Sequence, residues 1–274
     1  MSAGVQRLSP AHERAALAFL DRAPYENVFL TWLIESDRSS ATRSSLHVYV
    51  DGSGRVRGCA FFGRQVVVAG DDDAVDAFAE TAPAFRFERM IVGPRAVVER
   101  YWARVRLWHP PARIVRSSQP LLALDRAGFP ADSGEVIARK ARADEWATVA
   151  RYSADMIEHE LEYDPRASAG DFGSNVRRMI ALGLWWVGER NGEICFVCNT
   201  GPSSDRTLQL QGIWTPPEQR GKGLASQSLR SVCAQLPESI PTVSLYVNGF
   251  NAPALALYER VGFAQVGEFS TILF

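Results

Sequence analysis

The sequence predicts an α+β, or mixed α/β, fold made of two halves with the same order of elements. Each half opens with a hairpin signal between two apolar strands, and each hairpin is followed by alternating strand and helix patterns. Antiparallel hairpins combined with strand–helix–strand crossovers give a sheet covered by helices. The two halves share a pattern of elements and not a pattern of residues.

The first half is predicted to contain five strands and three helices. The strands "LHVYV" and "VRGCAFF" flank the turn "DGSG", and the strand "QVVVAG" follows. The helix "DDAVDAFAETA", the strand "ERMIVG", the helix "RAVVERYWARV" and the extended segment "ARIVRSSQPLLAL" come next. A helical pattern, "PAHERAALAFLDRA", precedes the unit.

The second half repeats this order. The strands "LWWVGER" and "EICFVCN" flank the turn "NG", and they are followed by the strand "TLQLQGIWT", the helix "GLASQSLRSVCAQL", the strand "TVSLYVN", the helix "APALALYERVG" and the strand "AQVGEFSTILF". Two helical patterns, "ADEWATVARYSADMIEHEL" and "SNVRRMIALG", precede the unit. The segment "DRAGFPADSG", rich in Gly, Pro and Asp, indicates the seam, so we predict domains at 1–127 and 128–274.

Composition and charge narrow the function classes. A net charge of −1 over 274 residues argues against broad nucleic-acid binding, which needs a basic face. No apolar run is long enough to span a membrane. The first residues lack the uninterrupted apolar core of a signal peptide, so we expect a cytoplasmic protein.

The cysteines and histidines do not predict a metal site. Cys195 and Cys198 have metal-like spacing, but no second pair exists, and residues three apart on a strand point to opposite faces. The four histidines are scattered along the chain. We therefore expect no bound metal.

The stretch "QLQGIWTPPEQRGKGLASQSLRSV" is typical of an anion site. A glycine-rich turn entering a helix exposes backbone N–H groups, and the helix dipole favours negative charge there. Gly221 and Gly223 allow close approach, and Arg220 and Lys222 add cationic donors. Two phosphate motifs fit poorly. A P-loop needs Ser or Thr directly after Gly-Lys, where this sequence has Gly223 and then Leu224, and a dinucleotide fold needs a third glycine that "GKGLAS" lacks.

The same stretch resembles the pyrophosphate loop of the GNAT superfamily of acyl-CoA-dependent N-acyltransferases. Its signature residues are matched by Arg220, Gly223 and Ala225, and "VSLYVNGFNAPALALYERVGF" resembles the family's second signature. The resemblance covers roughly residues 135–274. Over the whole chain, the sequence resembles a bacterial two-domain group in which a poorly characterised, degenerate GNAT-like domain precedes a GNAT domain. Each domain would be a mixed, mostly antiparallel twisted sheet flanked by helices.

The resemblance implies a cofactor site for acetyl-CoA, which acts as co-substrate. Backbone groups of residues 213–215 would pair with the pantetheine arm, and the loop would take the pyrophosphate. The implied cofactor-binding residues are Ile213, Trp214, Thr215, Arg220, Gly221, Lys222, Gly223, Leu224, Ala225, Asn251 and Tyr258. Helix capping is an alternative role for Asn251. Tyr258 matches the family's general acid, which protonates the leaving thiolate, and a packed aromatic is the alternative.

The first half lacks the loop. Asp71, Asp72 and Asp73 stand where the second half has glycines and cations. Three carboxylates at a helix start suit the dipole themselves and would repel pyrophosphate. We therefore predict that the first half binds no CoA there.

The acceptor side has weaker signals. "DMIEHELEYDP" offers Glu158, His159, Glu160 and Glu162, and we predict Glu158 and Glu162 as the pair that attracts the amine or relays its proton, because residues four apart share a helix face. A solvated acidic helix end is the alternative. Further polar or aromatic candidates are Gln209, Gln211, Asn248, Trp185 and Trp186.

These observations predict an N-acetyltransferase that moves an acetyl group from acetyl-CoA to a primary amine by direct attack. The acceptor, whether small molecule, peptide or protein, is not identified, and neither nucleic acid nor membrane is expected as a partner. The alternatives are a CoA-binding regulatory or interaction module without turnover, and a mycothiol-synthase-like small-molecule acetyltransferase. We also hypothesise that the N-terminal half shapes the acceptor cleft.

Overall fold

A computed structural model of the chain describes residues 4–37, 39–82, 88–127, 129, 137–167 and 171–274. The predicted seam, 125–134, lies partly outside the described residues. The first half contains β1 (Gly4–Arg7), α1 (Pro10–Leu20), α2 (Pro24–Ser36), α3 (Ser40–Ser45), β2 (Leu46–Val50), β3 (Val56–Phe62), β4 (Gln65–Gly70), α4 (Asp72–Thr81), β5 (Met90–Pro94), α5 (Arg95–Val105) and β6 (Ile114–Asp125). The second half contains β7 (Ile137–Lys140), α6 (Trp146–Leu161), α7 (Phe172–Ala181), β8 (Trp185–Arg190), β9 (Glu193–Ser203), β10 (Thr207–Trp214), α8 (Leu224–Gln235), β11 (Thr242–Tyr246), α9 (Ala252–Val261) and β12 (Ala264–Leu273).

Local chemistry explains the two hairpins. In the turn between β2 and β3, the carboxylate of Asp51 accepts hydrogen bonds from the backbone N–H of Ser53 (2.9 Å) and of Arg55 (3.0 Å). Between β8 and β9, Asn191 and Gly192 have φ of 54° and 81°, the conformation that a two-residue hairpin turn requires. Both predicted hairpin turns are confirmed.

All strands join one mixed sheet, in the order β1-β2-β3-β4-β5-β12-β6-β11-β10-β9-β8-β7. Two strand pairs are parallel, β4 with β5 and β10 with β11, and the other pairs are antiparallel. The predicted fold class is confirmed, since the sheet is mixed, mostly antiparallel and flanked by helices.

The two halves exchange their last strands. β6 belongs to the first half in the chain, but it pairs with β11 of the second half through Asp125↔Thr242 to Leu121↔Tyr246. β12 belongs to the second half, but it pairs with β5 of the first through Phe269↔Pro94 to Leu273↔Met90. β12 and β6 also pair with each other in the middle of the sheet. Each half therefore completes its sheet with a strand from the other half.

The second half is a three-layer arrangement. α8 and α9 pack on one face of its strands, where Phe196, Leu210 and Leu229 are buried in a common cluster. α6 and α7 pack on the opposite face, with Val149 and Val197 at the centre of a second cluster. Any opening between β10 and β11 consequently connects the two helix layers.

Four elements are not predicted by the sequence pattern, and one of them is the six-residue helix α3. α2 has apolar residues on most of its faces, which weakens the helical period, and β1 and β7 are edge strands of four residues. The domain boundary at 127/128 remains a prediction.

Candidate active site

A cleft opens where two parallel strands separate. β10 and β11 are paired from Thr207↔Thr242 to Gln209↔Ser244 and not beyond. After that point β10 stays with β9, and β11 stays with β6. The resulting cleft has a volume of about 970 Å³ and is lined by residues of β10, α6, α7, α8 and α9.

A glycine bends β10 at the cleft. Gly212 has φ of 60°, and the register with β9 shifts between Gln211 and Trp214. A Cβ at Gly212 would lie 2.6 Å from Nδ2 of Asn199 and 3.3 Å from the Trp185 ring, so a larger residue does not fit. The bulge brings the backbone of residues 213–215 to the wall of the cleft.

The loop after β10 leaves the start of α8 open. Gly221 and Gly223 both have φ of 75°, a conformation that favours glycine. A Cβ on Gly221 would meet no atom within 4 Å, and one on Gly223 would have only Nε2 of Gln227, at 4.0 Å. Gly223 is the N-cap of α8 and supplies no side-chain cap. Both glycines, together with Leu224 and Ala225, line the cleft. Unscreened backbone N–H groups in front of open space suit a phosphate.

The two loop cations have different roles in the geometry. The Arg220 guanidinium lies 4.5 Å from the centre of the Trp214 ring, and its Nε donates to the carbonyl of Thr215 (3.0 Å), which keeps it at the cleft. Lys222 donates from Nζ to the carbonyl of Glu218 (2.8 Å) and does not line the cleft. Arg220 is therefore placed to meet an anion, whereas Lys222 holds the loop together.

The start of α9 and its seventh residue face the cleft. Asn251 caps the helix, because its Oδ1 accepts from the backbone N–H of Ala254 (3.2 Å). Tyr258 is 6% exposed and lines the cleft. Burial, followed by the negative charge of Glu160, raises the pKa of the Tyr258 phenol well above its ordinary value. The phenol is consequently protonated at neutral pH and can donate a proton.

Glu158 and Glu162 are not brought into the cleft. Glu158 is exposed and pairs with Arg166 at 3.1 Å. α6 ends at Leu161, and Glu162 follows it in a left-handed conformation with φ of 58°. The two side chains therefore do not share a helix face, and the predicted geometry of this pair is wrong.

Two neighbours on the same helix do line the cleft, His159 and Glu160. The carboxyl of Glu160 lies near Tyr258 and Tyr246, and its negative charge contributes to the raised pKa of both phenols. Sequence reasoning did not choose Glu160, although a signal existed. Ser153, Met156–Ile157 and Glu160 recur at the three- and four-residue spacing of one helix face, and all four residues line the cleft.

The first half contributes to the cleft through β6. Nε2 of Gln119 donates to Oδ1 of Asn248 (3.0 Å), and Oγ1 of Thr271 donates to Oε1 of Gln119 (2.6 Å). All three side chains are buried, and Gln119 and Asn248 line the cleft. This chain of hydrogen bonds fixes Asn248 beside the end of β11.

The remaining candidates lie on both faces of the sheet. Gln211 donates to Gln209 (3.0 Å), as their alternation predicts, and Gln211 lines the cleft. Trp185 is buried at the cleft, whereas Trp186 is buried on the other face, under Nζ of Lys140 at 3.8 Å from the ring.

In the described part of the chain, no group of three or more His, Cys, Asp or Glu side chains could hold a metal ion. No helix among the described residues is long and apolar enough to cross a bilayer.

Comparison with known families agrees with this geometry. Residues 148–263 match the family model of the GNAT acetyltransferases, and residues 45–149 match DUF4081, a domain of unknown function. The C-terminal half is therefore similar to the GNAT acetyltransferases, and the predicted resemblance is confirmed.

Individual relatives support the fold more than the substrate. The mycothiol acetyltransferase of Brachybacterium faecium is 36% identical over 66 residues, which are 24% of this chain and 20% of the relative. A solved Drosophila structure aligns with a TM-score of 0.69 at 14% identity, covering 100% of this chain and 99% of that one. A tandem GNAT protein from the clavulanic acid biosynthesis pathway aligns with a TM-score of 0.56 at 13% identity, covering 98% of each chain. At these identities, the two structures show the fold alone.

Proposed function

We propose that this protein is an N-acetyltransferase that transfers the acetyl group of acetyl-CoA to a primary amine by direct attack. The observation that carries the proposal is the cleft itself. It has an uncapped glycine N-terminus of α8 at one end and the protonated Tyr258 phenol within it.

The residues of the cleft fit acyl-CoA. The backbone of Ile213, Trp214 and Thr215 would pair with the pantetheine arm as an added strand would. The N–H groups from Gly221 to Ala225 would take the pyrophosphate, with Arg220 adding charge. Strand-like pairing beside the bulge would hold the thioester in one orientation, which is the main requirement for rapid attack.

Tyr258 would protonate the leaving thiolate. Its raised pKa keeps the proton on the phenol until the C–S bond breaks, when the thiolate created beside it can accept that proton. A second phenol, Tyr246, lines the same cleft, and burial together with Glu160 raises its pKa to about 12. Tyr258 is preferred because its helix position matches the family signature.

The similarity to mycothiol acetyltransferase favours a small-molecule acceptor as a second, more specific candidate. It spans only 66 residues, so it does not carry the acceptor of that relative to this chain.

The proposal is tested by calorimetric titration of acetyl-CoA into the wild type, Gly223→Glu and Gly192→Glu. Gly223→Glu puts a negative charge in front of the pyrophosphate, and we expect its affinity to fall at least about 100-fold, or about 2.7 kcal/mol. Gly192 is the matched control, because it also has a positive φ (81°) and nothing within 4 Å of a Cβ, but it lies in the β8–β9 turn.

One site in the wild type, weakened only by Gly223→Glu, supports acetyl-CoA as co-substrate. No binding by the wild type would contradict the proposal and leave an interaction module as the better description. Binding that is equally weakened by both variants would show that the site lies elsewhere.

A further inference from the structure

The charges along the cleft divide it into two ends. Apart from the phenols of Tyr246 and Tyr258, four titratable side chains line it within the described part of the chain. Arg220 and Arg260 stand on the α8–α9 side, whereas His159 and Glu160 stand on α6. The cationic end suits pyrophosphate, so the other end is left for a molecule with different chemistry.

The α6–α7 end is mainly apolar. Met156, Phe172 and Met179 are only partly buried, pack against the core under these helices and line the cleft. Val176 and Trp185 are buried beside them and also line the cleft. Partly exposed apolar side chains on the wall of a cleft are typical of a binding site for an apolar group.

Glu160 is the one carboxyl among the described residues that line this cleft. Four charged or titratable groups face it, namely Arg116 from β6, Tyr246 from β11, Tyr258 from α9 and its neighbour His159. Nη2 of Arg116 donates to the backbone carbonyl of Glu160 and so fixes this end of α6 against β6. Glu160 is thereby held at the wall of the cleft that Tyr258 also lines.

We propose that the acceptor is a primary amine on an apolar or aromatic body without a carboxylate near the nitrogen, and that Glu160 takes up its proton. The inference rests on the proposed function. The body would lie against the α6–α7 wall, and the ammonium group would meet Glu160. A carboxylate next to the nitrogen would be repelled by the same group.

The transfer removes two protons from the nitrogen, one to Glu160 and one to Tyr258. The ammonium gives one proton to Glu160 and becomes a nucleophile. The N–C bond to the acyl carbon forms, and the C–S bond breaks. Tyr258 gives its proton to the sulfur and is reprotonated by the second proton of the nitrogen, while Glu160 returns its proton to water. Burial raises the pKa of the Glu160 carboxyl, with Arg116 and His159 acting in the opposite direction, and a raised pKa makes a carboxylate a better base near neutral pH.

The first test is an acceptor series at saturating acetyl-CoA, with phenethylamine, L-phenylalanine and glucosamine. Phenethylamine and phenylalanine share a body and differ by the carboxylate, whereas glucosamine keeps the amine and replaces the apolar body. We expect kcat/KM for phenethylamine to exceed both others by at least about 10-fold. A preference for either of the others overturns the acceptor class, and so does acetyl-CoA binding without transfer to any of the three.

The second test compares Glu160→Gln with Glu193→Gln, which makes the same charge change at the exposed start of β9. We expect Glu160→Gln to lower kcat/KM for phenethylamine about 100-fold and to remove the fall in rate at acid pH that protonation of the carboxylate causes. Acetyl-CoA affinity, measured by the same calorimetry, is expected to be unchanged in both variants.

The possible negative results distinguish the two proposals. Absence of acetyl-CoA binding by the wild type would contradict the proposed function. If Glu160→Gln binds acetyl-CoA normally and keeps the rate and pH profile of the wild type, only the role of Glu160 is contradicted. A variant that no longer binds acetyl-CoA would likewise overturn it, because Glu160 would then be needed for the fold or the CoA end.

Discussion

The two halves of the molecule use the same unit, a strand and helix followed by a parallel strand and helix. The halves differ at the start of the first helix of this unit. Asp71 caps α4, since its Oδ1 accepts from the N–H of Ala74 (3.1 Å), and its carboxylate also pairs with Arg57. Gly223 caps α8 with no side chain. The first helix start is therefore already satisfied by the protein's own anion, while the second is left for one from solution.

The second helix of each unit repeats the contrast. Tyr101 and Tyr258 are both the seventh residue of their helices, α5 and α9. Tyr101 is 0% exposed, and its hydroxyl has no hydrogen-bond partner among the described residues. Tyr258 reaches the cleft. The comparison shows that one scaffold can keep the same aromatic position as core packing in one half and as a candidate acid in the other.

The largest expected effect tests whether the halves can be compared as separate units. Deleting residues 264–274 removes β12, and with it the buried Phe269, Ile272 and Leu273 from the first half's sheet. Burial of three such side chains is worth about 5–9 kcal/mol, which approaches the whole stability of many domains. We expect the cooperative thermal transition of both halves to disappear.

Deletion of residues 1–7 is the control, because β1 is an edge strand paired only with β2. We expect this variant to keep its cooperative transition. If the β12 deletion left the second half folded, with normal acetyl-CoA affinity, the strand exchange would be shown to be unimportant for stability.

The next effect concerns the two tyrosines. Tyr258→Phe removes the proposed proton donor, and we expect kcat to fall about 10²- to 10⁴-fold with little change in acetyl-CoA affinity. Tyr101→Phe removes a buried hydroxyl, and we expect unchanged kcat and an unchanged or slightly higher melting temperature. Steady-state kinetics and thermal unfolding of both variants measure this. If both variants lost activity equally, Tyr258 and Tyr101 could no longer be assigned different roles.

The smallest effect concerns the cap of α4. Asp71→Ala should lower the free energy of unfolding by about 1 kcal/mol through loss of the cap, whereas Asp73→Ala, with the same charge change, should have a smaller effect. Urea denaturation measures both. Calorimetry should still detect one acetyl-CoA site in Asp71→Ala. A second site would mean that the Asp71 carboxylate alone prevents acetyl-CoA binding by the first half.

The fold was predictable where the signals are local. The hairpins at Asp51–Gly54 and Asn191–Gly192, and the strand and helix patterns around them, depend on residues within a few positions of one another. The strand exchange was not predictable, because the partner of β5 is decided by contacts between residues far apart, such as Phe269 with Pro94. Apolar strands of similar length give no indication of which neighbour they take.

The cofactor end of the candidate site was easier to predict than its acceptor end. The loop around Gly223 and the place of Tyr258 at the cleft were expected from the resemblance to the two GNAT signatures. The choice among Glu158, Glu160 and Glu162 was not predictable, because it depends on how α6 is rotated against the sheet and on its end at Leu161. Their roles remain predictions for the experiments above.

The exchanged strands also govern when the protein can fold. The ribosome makes β12 after the other described strands of the sheet, so one edge of β5 waits without its partner while the second half is synthesised. β6 is made early and likewise waits for β11. Domains of many proteins fold one after another as they emerge, but neither half of this sheet can be completed in that way. While the second half is being synthesised, the nascent chain therefore lacks one partner of β5 and both partners of β6. This is the period when it most needs protection from pairing with other chains.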